Sequence, residues 1–260
     1  MITLDQIGLT LYTTREYQRT LPDLKDSLKR VADIGYQNVQ ISGIAKDLIE
    51  PEALVELCSE NDLKIVATHE PALDIINEPE LVAERLKRLG CRYTAYPYPA
   101  EVDLDDRSSI EKFAQDLERA GKVLSEQGKV LMYHNHAMEF RKFPGSKSTI
   151  LEYLYAETTS ANLQGEIDTY WVQLGGQSPA AWCKKLTGRL PVLHLKDYKI
   201  KGNKDPDYCE IGEGNLDIPG ILQAASEAGT KYVIVEQDTC DGDPFDSIAT
   251  SYAYLSDLLS

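Results

Sequence analysis

The chain is poor in cysteine, in basic residues and in long apolar runs. Its five cysteines, Cys58, Cys91, Cys183, Cys209 and Cys240, are widely spaced, odd in number and never arranged as CxxC. That pattern argues against a disulfide framework or a zinc-thiolate site and leaves buried, reduced thiols as the expectation. Lysine and arginine total 27 against 42 aspartates and glutamates, a formal net charge of −15 over 260 residues. Affinity for phosphate backbones comes mostly from clustered Lys and Arg, so a nucleic-acid partner is not expected and a small neutral or weakly charged substrate fits better. No uninterrupted apolar run approaches the roughly 20 residues that cross a bilayer. The start, MITLDQIGLTLYT, lacks the basic segment and apolar core of a secretory signal. A soluble, cytoplasmic protein without a membrane partner is therefore expected, with homo-oligomerisation left open. No Pro/Gly/Ser-rich linker or charge block divides the chain, so residues 1–260 read as one domain.

Short β-branched runs alternate with longer amphipathic stretches about eight times. The strand candidates are Ile7–Thr13, Asn38–Ser42, Lys64–His69, Arg92–Tyr98, Lys129–His136, Gln164–Trp171, Pro191–Tyr198 and Tyr232–Asp238. Between them, Pro22 opens a helix whose stripe is Leu21, Leu24, Leu28, Val31 and Ile34, with Gly35 as its C-terminal cap. Ser108–Gly128 is the longest helix candidate, and Gly145–Lys147 and Gly202–Pro206 read as loops. Strands joined by crossover helices pair in parallel, and eight such units in this length predict a single α/β (β/α)₈ TIM barrel. The rival, an open doubly wound sheet, would carry a Gly-rich turn after the first strand, and Leu11-Tyr12-Thr13-Thr14 is not one.

Polar residues then fall where such barrels keep their chemistry, at the carboxyl ends of strands. The run Lys129–Phe140, KVLMYHNHAMEF, breaks from apolar residues into two histidines, an asparagine and a glutamate. Three later strands end at Asp168, His194 and Glu236. Alternation places Leu193, Leu195, Val233, Val235 and Ile167 outward, leaving Glu166, Asp168, Tyr170, His194, Lys196 and Glu236 inward. In the fifth strand Leu131, Met132 and Tyr133 are all bulky, so periodicity does not choose its inner face. Three carboxylates and one imidazole form a hard, oxygen-rich ligand set for one divalent metal ion, Mn²⁺ first, with Mg²⁺ or Co²⁺ as alternatives. A cation would also relieve the mutual repulsion of those carboxylates. His69-Glu70, Lys196, Trp171 and Glu213 read either as pocket lining or as packing. Lys196, Lys199, Lys201 and Lys204 read as a solvated loop rather than a phosphate site.

The segments YHNHAMEF, EIDTYWVQLGGQSP, PVLHLKDY, EIGEGNLDIPGIL and YVIVEQD occur in this order across the chain. With that spacing the chain resembles the sugar phosphate isomerase/epimerase family of xylose isomerase-like TIM barrels. The resemblance implies one metal held by Glu, Asp, His and Glu from the fifth to eighth strands. Asp168, His194 and Glu236 match. Where relatives such as ketose 3-epimerases carry the first glutamate, this chain has Tyr133 and His134, so Glu139 takes that place with His136 in reserve. The resemblance further implies a sugar substrate that loses a proton next to its carbonyl. Glu139 and Glu236 would act as acid/base pair, and His69, His136, Trp171 and Lys196 would bind substrate. A dehydratase or keto-glycoside lyase on the same scaffold is the alternative.

Overall fold

The apolar runs become strands β1 (Ile7–Thr10), β2 (Asn38–Ile41), β3 (Lys64–His69), β4 (Tyr93–Tyr96), β5 (Val130–His134), β6 (Gln164–Asp168), β7 (Val192–Leu195), β8 (Asp197–Lys201), β9 (Asp205–Cys209) and β10 (Tyr232–Val235) in a computed structural model that describes residues 1–202 and 205–260. Eight of them close a parallel barrel in the order β1-β10-β7-β6-β5-β4-β3-β2, while β8 and β9 form a separate antiparallel hairpin. This is a TIM barrel. The closing pairs set Leu9 beside Val235 and Gly8 beside Asn38. Register also sets Asp168 beside His194, so polar residues from these neighbouring strands arrive at one level.

Helices form where the stripes and caps lie. In Leu21–Ile34 the Thr20 side chain accepts from the Asp23 amide and Leu24, Leu28 and Val31 are buried, but Leu21 is 39% exposed and lies off the stripe. Arg107–Glu126 buries Ile110, Phe113, Leu117 and Leu124 on one side. On that face a Cβ at Gly121 would come within 1.9 Å of the Asn162 carbonyl oxygen, so the residue must be glycine for the helix to lie this close to the chain leading into β6. Among the described residues no helix is long and apolar enough to cross a membrane.

The barrel's two faces bury different clusters. Leu131, Tyr133, Ile167, Leu193, Leu195, Val233 and Val235 join the large core between strands and helices. Val66, Ala67, Ala95, Val130, Met132, Val192 and Ile234 form a second, interior cluster, with Tyr93 and Tyr232 packed against it. The fifth strand is thereby decided: Met132 and His134 face inward, Leu131 and Tyr133 outward.

Several strand ends fall short of their sequence ranges. β6 stops at Asp168 because its carboxylate accepts the Trp171 amide and caps the helix Thr169–Leu174, which carries Tyr170 off the strand. β7 stops at Leu195, and the Asp197–Cys209 pairing then starts a hairpin that the sequence reading did not anticipate. Of the Gly202–Pro206 segment read as a loop, Asp205 and Pro206 pair with Lys201 and Ile200; Asn203 and Lys204 lie outside the described residues.

Candidate functional site

At the carboxyl-terminal mouth, inward positions of β5, β6 and β7 and the residue following β10 supply His134, Asp168, His194 and Glu236. All four are buried, and each offers a ligand atom within 4.8 Å of the others. The ring hydrogens can be placed from their partners. His134 Nδ1 lies 3.3 Å from the Pro97 carbonyl oxygen, which only accepts, so Nδ1 carries the hydrogen and the Nε2 lone pair points inward. Gln40 does the same for His194: its amide nitrogen donates to Glu166 at 2.8 Å, turning its oxygen to His194 Nε2 at 2.5 Å. His194 Nδ1 then faces Glu236 Oε2 at 3.0 Å.

Both lone pairs therefore point at carboxylates. His134 Nε2 sits 3.4 Å from Asp168 Oδ2 and is itself buried without a hydrogen-bond partner, while Asp168 Oδ2 is met only by the Lys196 ammonium. Buried polar atoms left unpaired cost on the order of 2–7 kcal/mol. Two imidazole nitrogens and two carboxylates converging on one point, with the His134 Nε2 lone pair unpaired, fit a divalent cation, and this His/Asp/Glu cluster could hold one.

Lys196 is the cation the chain itself brings. Its buried ammonium lies 2.8 Å from Glu236, 3.1 Å from Asp168 and 3.2 Å from Asp238. Burial pulls the Lys196 ammonium down, but the three carboxylates outweigh it and hold it well above its ordinary value. In return, Lys196 and His194 overcome burial to keep the Glu236 carboxyl well below the usual range, and Lys196 and His134 do so for Asp168. For His134, burial is outweighed by Asp168 and Glu236, and its imidazole is raised.

The structure brings Asp168, His194 and Glu236 together as expected, but the fourth member of the cluster is His134 in place of Glu139. Glu139 is buried in a short turn, where it accepts from the Tyr133 hydroxyl at 2.8 Å and the His136 amide at 2.9 Å. Burial raises its carboxyl, and it serves to pin the loop after β5. Tyr133 reaches Glu139 because it faces outward, a direction periodicity did not choose. His136, the reserve ligand, packs its ring 5.2 Å from Trp171 and is pushed down to about 3 by burial and by His134. His69 reaches across from β3 to Glu166 at 2.5 Å. Sequence reasoning missed Gln40 and His134 as site residues. The available signal was the alternation of Gln40 with Val39 and Ile41 in β2 and the even spacing of Met132 and His134.

His69, His134, His136, Lys196, Glu236 and Asp238 share the wall of a cavity of about 450 Å³ with residues of the β2 and β3 loops. Trp171 stands beside it, with the Lys196 ammonium 5.3 Å from its ring centroid.

Comparison with known proteins places this architecture. A crystal structure of a sugar phosphate isomerase/epimerase from Parabacteroides distasonis superposes with a TM-score of 0.80 at 23% identity, covering 96% of this chain and 93% of that one. An L-ribulose 3-epimerase superposes with a TM-score of 0.76 at 14% identity, covering 97% and 94%. In sequence, an inosose dehydratase from Lacticaseibacillus casei is 26% identical over 163 residues, 56% of this chain and 53% of that relative, so the match spans about half the relative's length. The family model described as Xylose isomerase-like TIM barrel matches residues 28–258, and the chain belongs to that family.

Proposed function

We propose that the protein is a divalent-metal-dependent enzyme acting on keto-sugars or related keto-cyclitols, removing a proton from the carbon beside a carbonyl. The observation that carries this reading is the convergence of His134, Asp168, His194 and Glu236, with the His134 Nε2 lone pair left unpaired. His134 and His194 through their inward nitrogens, with Asp168 and Glu236, would hold the ion. A divalent cation there would polarise the carbonyl and adjacent hydroxyl oxygens and stabilise developing negative charge. Two imidazoles and two carboxylates are a softer set than the sequence reading assumed, which favours Mn²⁺ or Co²⁺ over Mg²⁺.

The chain's own groups handle the protons. Glu236, ionised beside Lys196, accepts the proton from the substrate carbon. His69 stands across the cavity, fixed by Glu166, and handles a proton on the opposite side in place of the pinned Glu139. Lys196, held by Asp238, positions a hydroxyl or donates to it. Returning a proton to the other face completes epimerisation or isomerisation, the first reading.

Dehydration is the second, favoured by one specific observation: the inosose dehydratase likeness in sequence. It needs one base and one acid for a departing hydroxyl, which Glu236 and Lys196 would provide. Incubating Mn²⁺-loaded protein in D₂O with ketohexoses, a keto-glycoside and an inosose separates the outcomes. Deuterium at the carbon beside the carbonyl with inversion supports epimerisation, and a new ultraviolet-absorbing enone supports elimination. No exchange on any of them overturns the proposal.

A further inference from the structure

Resting on the reading that this cavity receives the sugar, we infer that the substrate is an uncharged carbohydrate and that the fold rejects its phosphate ester. The cations lining the cavity are Lys46, Arg85 and Lys196. Each is met by carboxylates of the chain. On the β2 and β3 side, Glu70 is buried at the end of β3 and accepts from Arg85 Nε at 3.2 Å. Lys46 lies 3.8 Å from Glu70 and is bonded to Asp74. On the other side, Lys196 is shared among Asp168, Glu236 and Asp238.

The charges close on themselves. Glu70 and Asp74 balance Arg85 and Lys46, Asp238 balances Lys196, and Asp168 with Glu236 balance a divalent ion. Beneath them the buried Glu166 carboxylate faces His69 Nε2 at 2.5 Å and accepts from Gln40 at 2.8 Å, so it too is an acceptor and no anion site. Among the described residues lining the cavity, no positive charge is left over for a phosphate dianion, which would have to displace Glu70 or Asp74 from its partner. Recognition of phosphate normally relies on Arg or Lys donors free to pair with it. Hydroxyl groups, by contrast, can both donate to these carboxylates and accept from the two cations without disturbing any pair.

The test is isothermal titration of the Mn²⁺-loaded full chain with a ketohexose, an inosose, the ketohexose 6-phosphate and inorganic phosphate. An uncharged sugar binding at least roughly tenfold tighter than the phosphate ester is expected. Asp74→Asn, at a residue outside the cavity wall, frees Lys46, so the phosphate ester should gain several-fold while the uncharged sugar changes less than about twofold; Glu70→Gln, in the wall, should raise the phosphate ester relative to the uncharged sugar. Asp74 is 40% exposed, so its variant keeps the fold even where Glu70→Gln disturbs the Arg85 contact. A phosphate ester that binds wild type as tightly as the free sugar, or a cavity that binds no sugar at all, overturns the inference. Uncharged sugars that bind without solvent exchange leave the charge selection standing and remove only the proposed chemistry.

Discussion

The barrel interior holds two regions that are equally shielded from water and opposite in character. In the half nearer the amino ends of the strands, Val66, Ala67, Ala95, Met132, Val192 and Ile234 pack together, closed below by Tyr93 and Tyr232. One inward position further along, Met132 gives way to His134, Val192 to His194 and Ile234 to Glu236, all still buried. His134 and His194 still lie in their strands and Glu236 follows β10 directly, so the change across that step is chiefly one of side chains. Burial alone therefore does not distinguish scaffold from site. What distinguishes them is whether the buried groups satisfy one another: the lower cluster has no polar group to satisfy, whereas the upper one leaves His134 Nε2 without a partner.

Substitutions across that boundary should have separable consequences. The largest is expected at Glu236: Glu236→Gln, which keeps volume and removes the base, should lower the exchange rate by at least roughly 10³-fold. Mass spectrometry of the sugar after D₂O incubation measures it, and a loss below tenfold would place the base elsewhere. Met132→Ala, one step down the same strand as His134, should destabilise the fold by about 2–5 kcal/mol through the cavity it opens. Denaturant unfolding reads that change, and metal stoichiometry should stay at the wild-type value. If Met132→Ala instead empties the metal site, the two regions are one unit. His134→Ala should weaken Mn²⁺ binding by roughly 10–100-fold by calorimetry. The same titration at falling pH should show weaker binding, because a raised His134 is protonated, and lost as a ligand, over more of the acidic range.

Much of this was written in the chain. The β/α alternation identified the barrel, and in β6, β7 and β10 outward Ile167, Leu193, Leu195, Val233 and Val235 marked the face, which left Asp168, His194 and Glu236 pointing inward. The fifth strand resisted because inward Met132 and outward Leu131 and Tyr133 are comparably apolar. The polar partner of Tyr133, Glu139, was accordingly placed in the site when it belongs to the supporting loop. Gln40 was illegible for another reason: its role exists only through contacts with Glu166 and His194, 126 and 154 residues away. The hairpin after β7 was hidden because Lys199 to Lys201 read as a solvated loop, and its pairing depends on a return strand whose Tyr208 packs 4.7 Å from Tyr170.

The base of that hairpin is tied by a single side chain. The buried Asp197 carboxylate accepts the amides of Tyr198 at 2.8 Å and of Gly212, Gly214 and Leu216 at 3.1 Å, and a Cβ on Gly214 would come within 2.3 Å of it. Both feet of the excursion are thus riveted to the barrel rim independently of what lies between them. The intervening ribbon, which sets Tyr208 beside Lys196, can be lengthened, shortened or exchanged while the ring beneath keeps its shape, which makes it the natural place to redesign what the mouth admits.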